Sequence, residues 1–467
     1  MPRRNLFWLL GLVAVSVFGL AVSYSAPSAE RDKDYELVRL VVDVLHEVQH
    51  KYVVDVSPER KRKLVEDMVN GGLERLDPHS SYINPHDYKQ FDKQSEGKFG
   101  GVGIQVGFDR SNRGQLIVIS PMVGTPAYEA GVLAGDVILK VDGKSTEDLR
   151  MSEAVDLIQG DPGTQVTLTV LHEGAKEPVD IPITRAVIKV QNVLGDVRKP
   201  GDKGWDFLLD KENKIGYVRL TNFSRTCADE LKEAVGELER DGVRGLVLDL
   251  RNNPGGLLRS AVEVADLFLN EGVIVSTKGR NHREEVFRAK APGTLLSAPG
   301  KEVPMVVLIN KYSASASEIV AAALQDHKRA VVVGERSYGK GSVQNIILME
   351  NETSALKLTT ASYRRPSGKN IHRFPDKRDF ESAGLDPDEW GVKPDKGFEV
   401  PMKNEERYDY MVWRSDRDVV RARPKPEGKD KEGKPKKPFV DRVLQKALEH
   451  LKQEIKKGVA LRESGNA

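Results

Sequence analysis

Strand-like and helix-like segments alternate between about residues 187 and 395, and this alternation constrains the fold more than any other feature of the chain. The apolar runs 215–220 and 245–250 are each followed by a helical pattern, residues 228–239 after the first and 257–269 after the second. Strands that alternate with helices in this way are typical of a sheet with parallel pairing. The sequence therefore predicts an α/β core built on a mixed sheet.

The strongest chemical signal is a run of small residues before an Ala-rich helical segment. Ser313-Ala-Ser-Ala-Ser317 directly precedes residues 318–324, whose alanines and leucine favour a helix. A serine at such a loop-to-helix junction lies beside backbone amides that have no partner within the helix. These amides can stabilise the oxyanion that forms during acyl transfer. We therefore predict a serine nucleophile at this junction.

A serine hydroxyl needs a base to remove its proton, and lysine is the best candidate here. Lys340 lies among small residues, and a desolvated lysine loses part of its basicity and can accept a proton near neutral pH. Gln344, four residues later, can hydrogen-bond the amine. His327 and His372 are the alternatives, and their positions at a helix end and in a charged loop favour surface roles.

These segments resemble the C-terminal processing peptidases, also called tail-specific proteases, which are serine–lysine enzymes with an embedded PDZ domain. The resemblance rests on Ser-Ala-Ser-Ala-Ser-Glu followed by Gly-Lys-Gly-Ser-Val-Gln. It implies that Ser315 is the nucleophile, Lys340 the base and Gln344 the residue that orients the lysine. It also implies that Gly255 or Gly256, in the turn Asn-Asn-Pro-Gly-Gly, joins Ala316 in the oxyanion hole. The implied mechanism needs no metal or cofactor.

A P-loop is the competing interpretation of the lysine segment, because residues 334–340 follow a strand-like run and nearly match that motif. Gly341 stands where a P-loop needs Ser or Thr to hold magnesium. The segments that follow, 342–348 and 355–360, alternate like two strands around a turn. We therefore expect a β-hairpin rather than a phosphate-binding helix.

Residues 97–186 resemble a PDZ domain. A glycine-rich stretch, whose backbone amides can close around a carboxylate, precedes an alternating strand, and residues 151–159 are predicted to form the helix beside the groove. A peptide C-terminus would bind there as an added strand. The predicted peptide-binding residues are Gly100, Gly101, Val102, Gly103 and Ile104.

Composition excludes several other classes of protein. A net charge of +2 over 467 residues gives no basic surface for a nucleic acid. The single cysteine, Cys227, excludes an intramolecular disulfide and is interpreted as a small buried residue. His46 and His50 have the spacing of two metal ligands on a helix, but no third ligand is apparent, which favours surface roles.

The first residues form a targeting segment. Arg3 and Arg4 precede an uncharged run, residues 5–29, whose apolar part covers about residues 6–22. This apolar part is longer than the usual apolar region of a cleaved signal peptide and shorter than a typical membrane span. Both alternatives place the rest of the chain outside the cytoplasm, in the periplasm or an equivalent space. Residues 34–96 show helical periodicity and are predicted to be packing elements, with His79 in a structural role.

The chain departs from the family pattern in two places. A charged insertion occupies residues 372–390, and a polar, Pro-rich and Lys-rich linker occupies residues 421–437. The linker leads to a helical segment, 441–456, with one apolar stripe. We expect this helix to dock on the N-terminal helices or on a second subunit, which would give a homodimer through terminal helices.

Together these patterns predict an α/β protease core with an inserted PDZ domain and N- and C-terminal helical segments. The predicted function is that of an exported serine endopeptidase that cleaves proteins near their free C-termini. The alternative is a catalytically inert adaptor that binds peptides through its PDZ domain. The expected regions are a signal peptide or anchor (1–29), helices (30–96), PDZ domain (97–186), protease core (187–400), and linker with C-terminal helix (401–467).

Overall fold

The structure is a computed structural model that describes residues 28–95, 97–109, 114–199, 204–280, 283–290, 294–298, 301–374, 386–420 and 439–465. The chain divides into two units, residues 1–84 and 85–467. The predicted targeting segment lies outside the described residues apart from Ser28 and Ala29, and the predicted linker lies outside them entirely. No helix among the described residues is both long enough and apolar enough to cross a membrane.

The first unit contains two helices and a short strand: α1 (Ser28–Lys51), α2 (Pro58–Glu74) and β1 (Ser81–Ile83). The Ser57 hydroxyl accepts the Arg60 amide at the start of α2, where Pro58 occupies the first turn. On α1, Leu37 and Leu40 are exposed, whereas Leu45 and Val48 are half-buried, so the predicted packing role is not seen at Leu37 and Leu40.

The predicted PDZ region is a six-stranded sheet with two short helices. Its strands run in the spatial order β3-β4-β5-β7-β8, and β6 pairs with β5. Strand β2 lies apart from this sheet and pairs antiparallel with β9. Helix α3 (Pro85–Ser95) precedes the predicted region. The elements that follow it are β2 (Lys98–Gly101), β3 (Ile104–Asp109), β4 (Gln115–Pro121), α4 (Pro126–Glu129), β5 (Val137–Val141), β6 (Lys144–Ser145), α5 (Met151–Ile158), β7 (Gln165–Leu171), β8 (Val179–Thr184) and β9 (Ala186–Lys189).

The α/β core is built on a second six-stranded sheet, as predicted. Strands β14, β15, β20 and β21 are parallel neighbours in that order, and β10 and β13 both pair antiparallel with β14. The elements up to this sheet's last strand are β10 (Val193–Leu194), β11 (Val197–Arg198), β12 (Trp205–Asp206), β13 (Leu208–Asp210), β14 (Ile215–Leu220), α6 (Cys227–Arg240), β15 (Gly245–Asp249), α7 (Leu258–Asp266), β16 (Val273–Gly279), β17 (Glu285–Arg288), β18 (Ser297–Ala298), β19 (Lys301–Glu302), β20 (Met305–Ile309), α8 (Ala316–Asp326) and β21 (Val331–Gly334).

Both faces of this sheet are buried, which explains why its central strands are mostly apolar, with charged residues such as Arg219 and Asp249 only near the strand ends. On β20, Val307 and Ile309 face α6, α7 and α8, whereas Val306 and Leu308 face the opposite side. The sheet thus lies between two layers of helices.

An antiparallel hairpin follows the core sheet: β22 (Ser342–Met349) pairs with β23 (Ser354–Arg364). Strand β23 also pairs antiparallel with β16, and β16 pairs antiparallel with β17. The predicted hairpin is confirmed. A strand, not a helix, therefore follows Lys340, and this excludes the P-loop interpretation.

The last two helices are α9 (Asn404–Asp418) and α10 (Arg442–Gly465). The apolar stripe of α10 packs on the core sheet of its own chain, where Val443, Ala447 and Leu451 are buried against strand residues such as Val247 and Leu308. The prediction that this helix docks on the N-terminal helices or on a second subunit is wrong. Helix α10 covers the second face of the core sheet, and its apolar stripe is buried there. The stripe is therefore not available for the predicted homodimer.

Candidate active site

Ser315 lies at the junction between a loop and α8, as predicted. Its φ of 56° belongs to a backbone region that residues with a Cβ rarely occupy. Such strain persists only where surrounding contacts enforce it, and it concentrates at functional sites. Ser315 is largely buried, with 8% of its surface exposed.

The glycine turn after β15 lies directly against Ser315. A methyl group built on Gly255 would lie 2.7 Å from the Ala314 carbonyl oxygen, 2.8 Å from Ser315 Cβ and 3.0 Å from the Ala316 nitrogen. The Gly255 φ is 101°, so both the space and the backbone conformation require glycine. A methyl group on Gly256 would lie 2.3 Å from the Phe223 carbonyl oxygen. The structure thus brings the two predicted segments together.

The backbone amides of this glycine turn and of Ala316 differ in their hydrogen bonds. The Gly255 amide donates to the Asn253 side-chain oxygen (2.9 Å). The Gly256 and Ala316 amides donate to no acceptor among the described residues. Asn253 also holds the serine segment, because its carbonyl oxygen accepts the Ala314 amide (3.0 Å).

Glu318 joins the serine segment to the lysine segment. Its Oε2 accepts the Ser315 amide and the Lys340 amide, each at 2.8 Å. Its Oε1 accepts the Gly339 amide (2.6 Å) and the Ser337 hydroxyl (2.5 Å). Complete burial raises the pKa of Glu318 to about 7, against the opposing effect of these hydrogen bonds. One buried carboxyl group therefore holds the backbones of the candidate nucleophile and the candidate base at adjacent positions.

Strands β22 and β23 supply two further polar side chains. The Gln344 amide nitrogen donates to the Ser342 hydroxyl (2.8 Å) and to the Thr359 hydroxyl (3.2 Å). Its contact with the lysine amine stays a prediction. The Tyr363 amide donates to the Gly341 carbonyl oxygen (2.7 Å), and burial raises the pKa of the Tyr363 hydroxyl to about 12, against an opposing effect of the Ser315 side chain.

The two histidines that were alternative bases lie in different places: His327 lies against Gly272, whereas His372 lies against Gly341, next to Lys340. His327 Nε2 lies 2.7 Å from the Val273 carbonyl oxygen, at the far end of α8. His372 packs edge-to-face against Phe374. Within the described part of the chain, no group of three or more His, Cys, Asp or Glu side chains is placed to hold a metal ion. Cys227 is buried, as predicted, and burial raises its pKa to about 12.

The predicted carboxylate loop lies between β2 and β3. Gly100 and Gly101 end β2, and Ile104 begins β3. The Val102 and Gly103 amides, between the two strands, donate to no acceptor among the described residues. Gly103 has a φ of 82°, and a methyl group there would lie 2.3 Å from the Thr125 side chain.

The sequence did not identify Glu318 or Tyr363 as parts of the site. Glu318 carried a detectable signal, because a serine followed three residues later by glutamate is the capping-box pattern of a helix start. Nothing local to Tyr363 distinguishes it from an ordinary aromatic residue in a strand.

Two family profiles match the chain. Residues 214–389 match Peptidase family S41, and residues 117–171 match the PDZ domain.

Curated relatives match over longer stretches. The carboxy-terminal-processing protease of Bartonella bacilliformis is 39% identical over 427 residues, which cover 90% of each chain. The carboxy-terminal processing protease CtpA of Bacillus subtilis is 36% identical over 67% of this chain and 62% of its own. Among solved structures, a photosystem II D1 C-terminal processing protease aligns with 28% identity over 77% of this chain and 88% of its own, with a TM-score of 0.39.

Proposed function

Because the chain belongs to the family of carboxy-terminal processing proteases, which are serine-type peptidases with a PDZ domain, we propose that Ser315, Lys340 and Gln344 are its catalytic set. Ser315 is the nucleophile, Lys340 the general base, and Gln344 orients the lysine. The observation that carries this proposal is that the Ser315 and Lys340 amides donate to the same carboxylate oxygen of Glu318. Their backbone nitrogens therefore lie within two hydrogen-bond lengths of each other.

In the proposed reaction the neutral Lys340 amine takes the proton from the Ser315 hydroxyl, and the serine oxygen attacks the peptide carbonyl carbon. The carbonyl π electrons move to the oxygen, and backbone amides bind the resulting oxyanion. Collapse of this intermediate expels the amine, which receives the proton from the lysine ammonium. Water, deprotonated by the same lysine, then attacks the acyl carbonyl carbon. The acyl group leaves as a carboxylic acid when the bond to the Ser315 oxygen breaks and that oxygen receives the proton from the lysine ammonium.

The oxyanion hole that best fits these contacts uses the Gly256 and Ala316 amides, since neither donates to an acceptor among the described residues. The Gly255 amide would first have to leave the Asn253 side chain. Gly255 contributes instead by letting the turn approach Ser315 closely.

The substrates we propose are exported proteins or peptides with free C-termini. The PDZ loop, residues 100–104, would bind the terminal carboxylate through the Val102 and Gly103 amides, and the peptide would add as a strand beside β3. We propose that this binding recruits substrate and is coupled to uncovering of the active site. The N-terminal segment would direct the protein out of the cytoplasm, as a cleaved signal peptide or as a membrane anchor.

Three variants test the catalytic set on an unfolded protein substrate, with the products followed by mass spectrometry. Ser315→Ala and Lys340→Arg should fold and lose turnover, because arginine keeps the charge but does not release its proton near neutral pH. Lys328→Arg, an exposed residue beyond the far end of α8, is the matched control and should retain wild-type activity.

Full activity of Lys340→Arg would show that Lys340 is not the general base. A rate that rises near pH 6.5 and is abolished by His327→Ala or His372→Ala would identify a histidine base instead. Cleavage by none of the proteins, wild type included, would favour the peptide-binding adaptor.

A pair of peptides tests the PDZ proposal on the full chain. The two peptides share one sequence, and one carries a C-terminal amide in place of the carboxylate. The amidated peptide should be cleaved more slowly, because it lacks the charge that the loop amides would bind. Equal rates would make the PDZ domain a passive spacer.

A further inference from the structure

The insertion that departs from the family pattern joins the core through a short stem. We define the insertion stem as residues 371–374 and 386–391. The Asn370 side-chain amide donates to the carbonyl oxygens of His372 (2.5 Å) and Glu389 (3.2 Å), and the Gly391 amide donates to the Ile371 carbonyl oxygen (2.8 Å). The two halves of the stem are therefore clamped together where they leave the core.

The insertion stem packs against both glycines that flank Lys340. A methyl group on Gly341 would lie 2.4 Å from the His372 nitrogen, and one on Gly339 would lie 2.9 Å from the Trp390 ring. Neither position has room for a side chain. The backbone on each side of the candidate base is therefore in van der Waals contact with the stem.

Trp390 connects the stem to the loop before Lys340. The Arg336 guanidinium lies 3.5 Å from the centre of the Trp390 ring, and Arg336 Nε and Nη2 donate to the Trp390 carbonyl oxygen (2.9 and 2.7 Å). Arg373 also lies over the ring, at 4.6 Å, and its amide donates to the Gly339 carbonyl oxygen (2.8 Å).

The insertion stem also reaches the buried carboxylate of Glu318. The Val392 amide donates to the Ser337 hydroxyl (2.7 Å), which donates to Glu318 Oε1 (2.5 Å). Gly391 has a φ of 59°, and a methyl group there would lie 2.8 Å from Ser337 Oγ and 3.5 Å from Glu318 Oε1. The same stem therefore supports the lysine loop and the carboxylate that binds it.

We propose that Trp390 is a positioning residue that holds the Lys340 loop at the distance from Ser315 that proton transfer requires. This inference rests on the proposed function, in which Lys340 deprotonates Ser315. Residues 335–341 lie between β21 and β22 and belong to neither strand, so hydrogen bonds and packing contacts with other segments set their place. The amine must stay within hydrogen-bond reach of the hydroxyl, and a displacement of about 1 Å can reduce the rate about 100-fold.

The experiment compares Trp390→Ala and Trp390→Phe with wild type, using a short peptide substrate and full-length protein. Trp390→Ala should lower kcat about 30-fold and leave KM within about threefold, because the variant displaces the base rather than the substrate. Trp390→Phe keeps an aromatic face for Arg336 and should restore kcat to within about fivefold of wild type.

Trp205→Ala is the matched control. Trp205 is buried and lies under Arg198, whose guanidinium is 4.4 Å from the ring centre. It belongs to β12, which pairs with β11, and its indole nitrogen donates to Gln191. This control should lower the melting temperature and leave kcat per folded molecule within about twofold.

Two outcomes would overturn the inference and leave the proposed function standing. One is a kcat of Trp390→Ala within twofold of an active wild type. The other is an equal loss of kcat in Trp205→Ala and Trp390→Ala at matched loss of melting temperature. If wild type is no more active than Ser315→Ala, the proposed function fails, and the inference fails with it.

Discussion

The PDZ domain and the protease core fill their interiors with different chemistry. The PDZ interior is mainly aliphatic, and residues such as Leu116, Val118 and Leu168 are almost completely buried there. Asp136 is also buried in this domain, with its carboxylate 2.7 Å from His172. The core has a larger aliphatic interior of the same kind, but it also buries a group of polar and charged side chains around Ser315. This group comprises Asp249, Arg251, Asn253, Asn310, Ser313, Ser317 and Glu318.

Buried polar groups cost free energy unless they are hydrogen-bonded, and those around Ser315 are. Asn310 and Asn252 exchange two hydrogen bonds, 3.0 and 2.9 Å long, across the base of the glycine turn. The Ser317 hydroxyl donates to the Asn253 carbonyl oxygen (3.0 Å). Directional bonds of this kind specify orientation, which aliphatic packing alone does not, so the core uses them where the backbone must adopt strained conformations.

A buried ion cluster lies next to the same turn. Arg251 binds Asp249 (2.6 Å) and Asp441 (2.8 Å), and the Tyr217 hydroxyl donates to Asp249 (2.7 Å). Burial by itself would raise the pKa of Asp249, but Arg251 outweighs it and holds that pKa below its usual value. The cluster ties α10 to the strand end from which the glycine turn begins.

The largest effect should come from breaking this cluster. Asp441→Ala leaves Arg251 with one of its two carboxylates in a site that excludes water, and the free energy of unfolding should fall by about 3–5 kcal/mol. Arg442→Ala, at the next residue, removes an exposed pair with Glu406 and should cost at most about 1 kcal/mol. Denaturant titration of both variants measures the difference. Equal losses would mean that burial does not distinguish the two pairs.

A cavity in the PDZ interior should have the next largest effect. Leu168 is completely buried in β7, and Leu168→Ala should lower the stability of this domain by roughly 3 kcal/mol. Leu133→Ala removes a partly exposed side chain and should cost less than about 1 kcal/mol. Scanning calorimetry gives both values. Equal losses in the two variants would contradict the burial-dependent cost of a cavity.

Glu318 should give the stability of the core a pH dependence. Its folded-state pKa of about 7 lies above the ordinary value of 4.5, so the folded protein keeps a proton that the unfolded chain loses. The resulting stability is fully present below about pH 4.5 and is lost as the pH rises through about 7.

The measurement compares wild type with Glu318→Gln at a series of pH values. The stability of wild type relative to the variant should fall by roughly 2–3 kcal/mol between the two pKa values. A difference that stays constant with pH, or that grows as the pH rises, would contradict the raised pKa.

The smallest effect should come from an exposed ion pair within the core. Arg259 and Glu263 are one helical turn apart on α7 and 2.9 Å from each other, with most of the Arg259 side chain exposed. Arg259→Ala should change the free energy of unfolding by no more than about 0.5 kcal/mol, because water and salt screen this pair. A loss of unfolding free energy as large as that of Asp441→Ala would contradict the expectation that buried ion pairs contribute more than exposed ones.

The sequence by itself determined the elements whose signals are local. Strand–helix alternation predicted the α/β core, the pattern after Lys340 predicted the hairpin, and small residues before an Ala-rich run predicted the Ser315 junction. Backbone periodicity and helix-start preferences act over a few neighbouring residues, so these features can be read without tertiary contacts. The apolar stripe of residues 441–456 likewise predicted a helix.

Only the tertiary structure decided which surfaces and partners these elements meet. The stripe of α10 fits several apolar surfaces equally well in sequence terms, and the uncovered face of the core sheet is the one it packs on. The pairing of Arg251 with Asp441 and the binding of Glu318 to the lysine loop join residues far apart in the chain. Such partners depend on how the sheet and helices pack, and no local pattern encodes that packing.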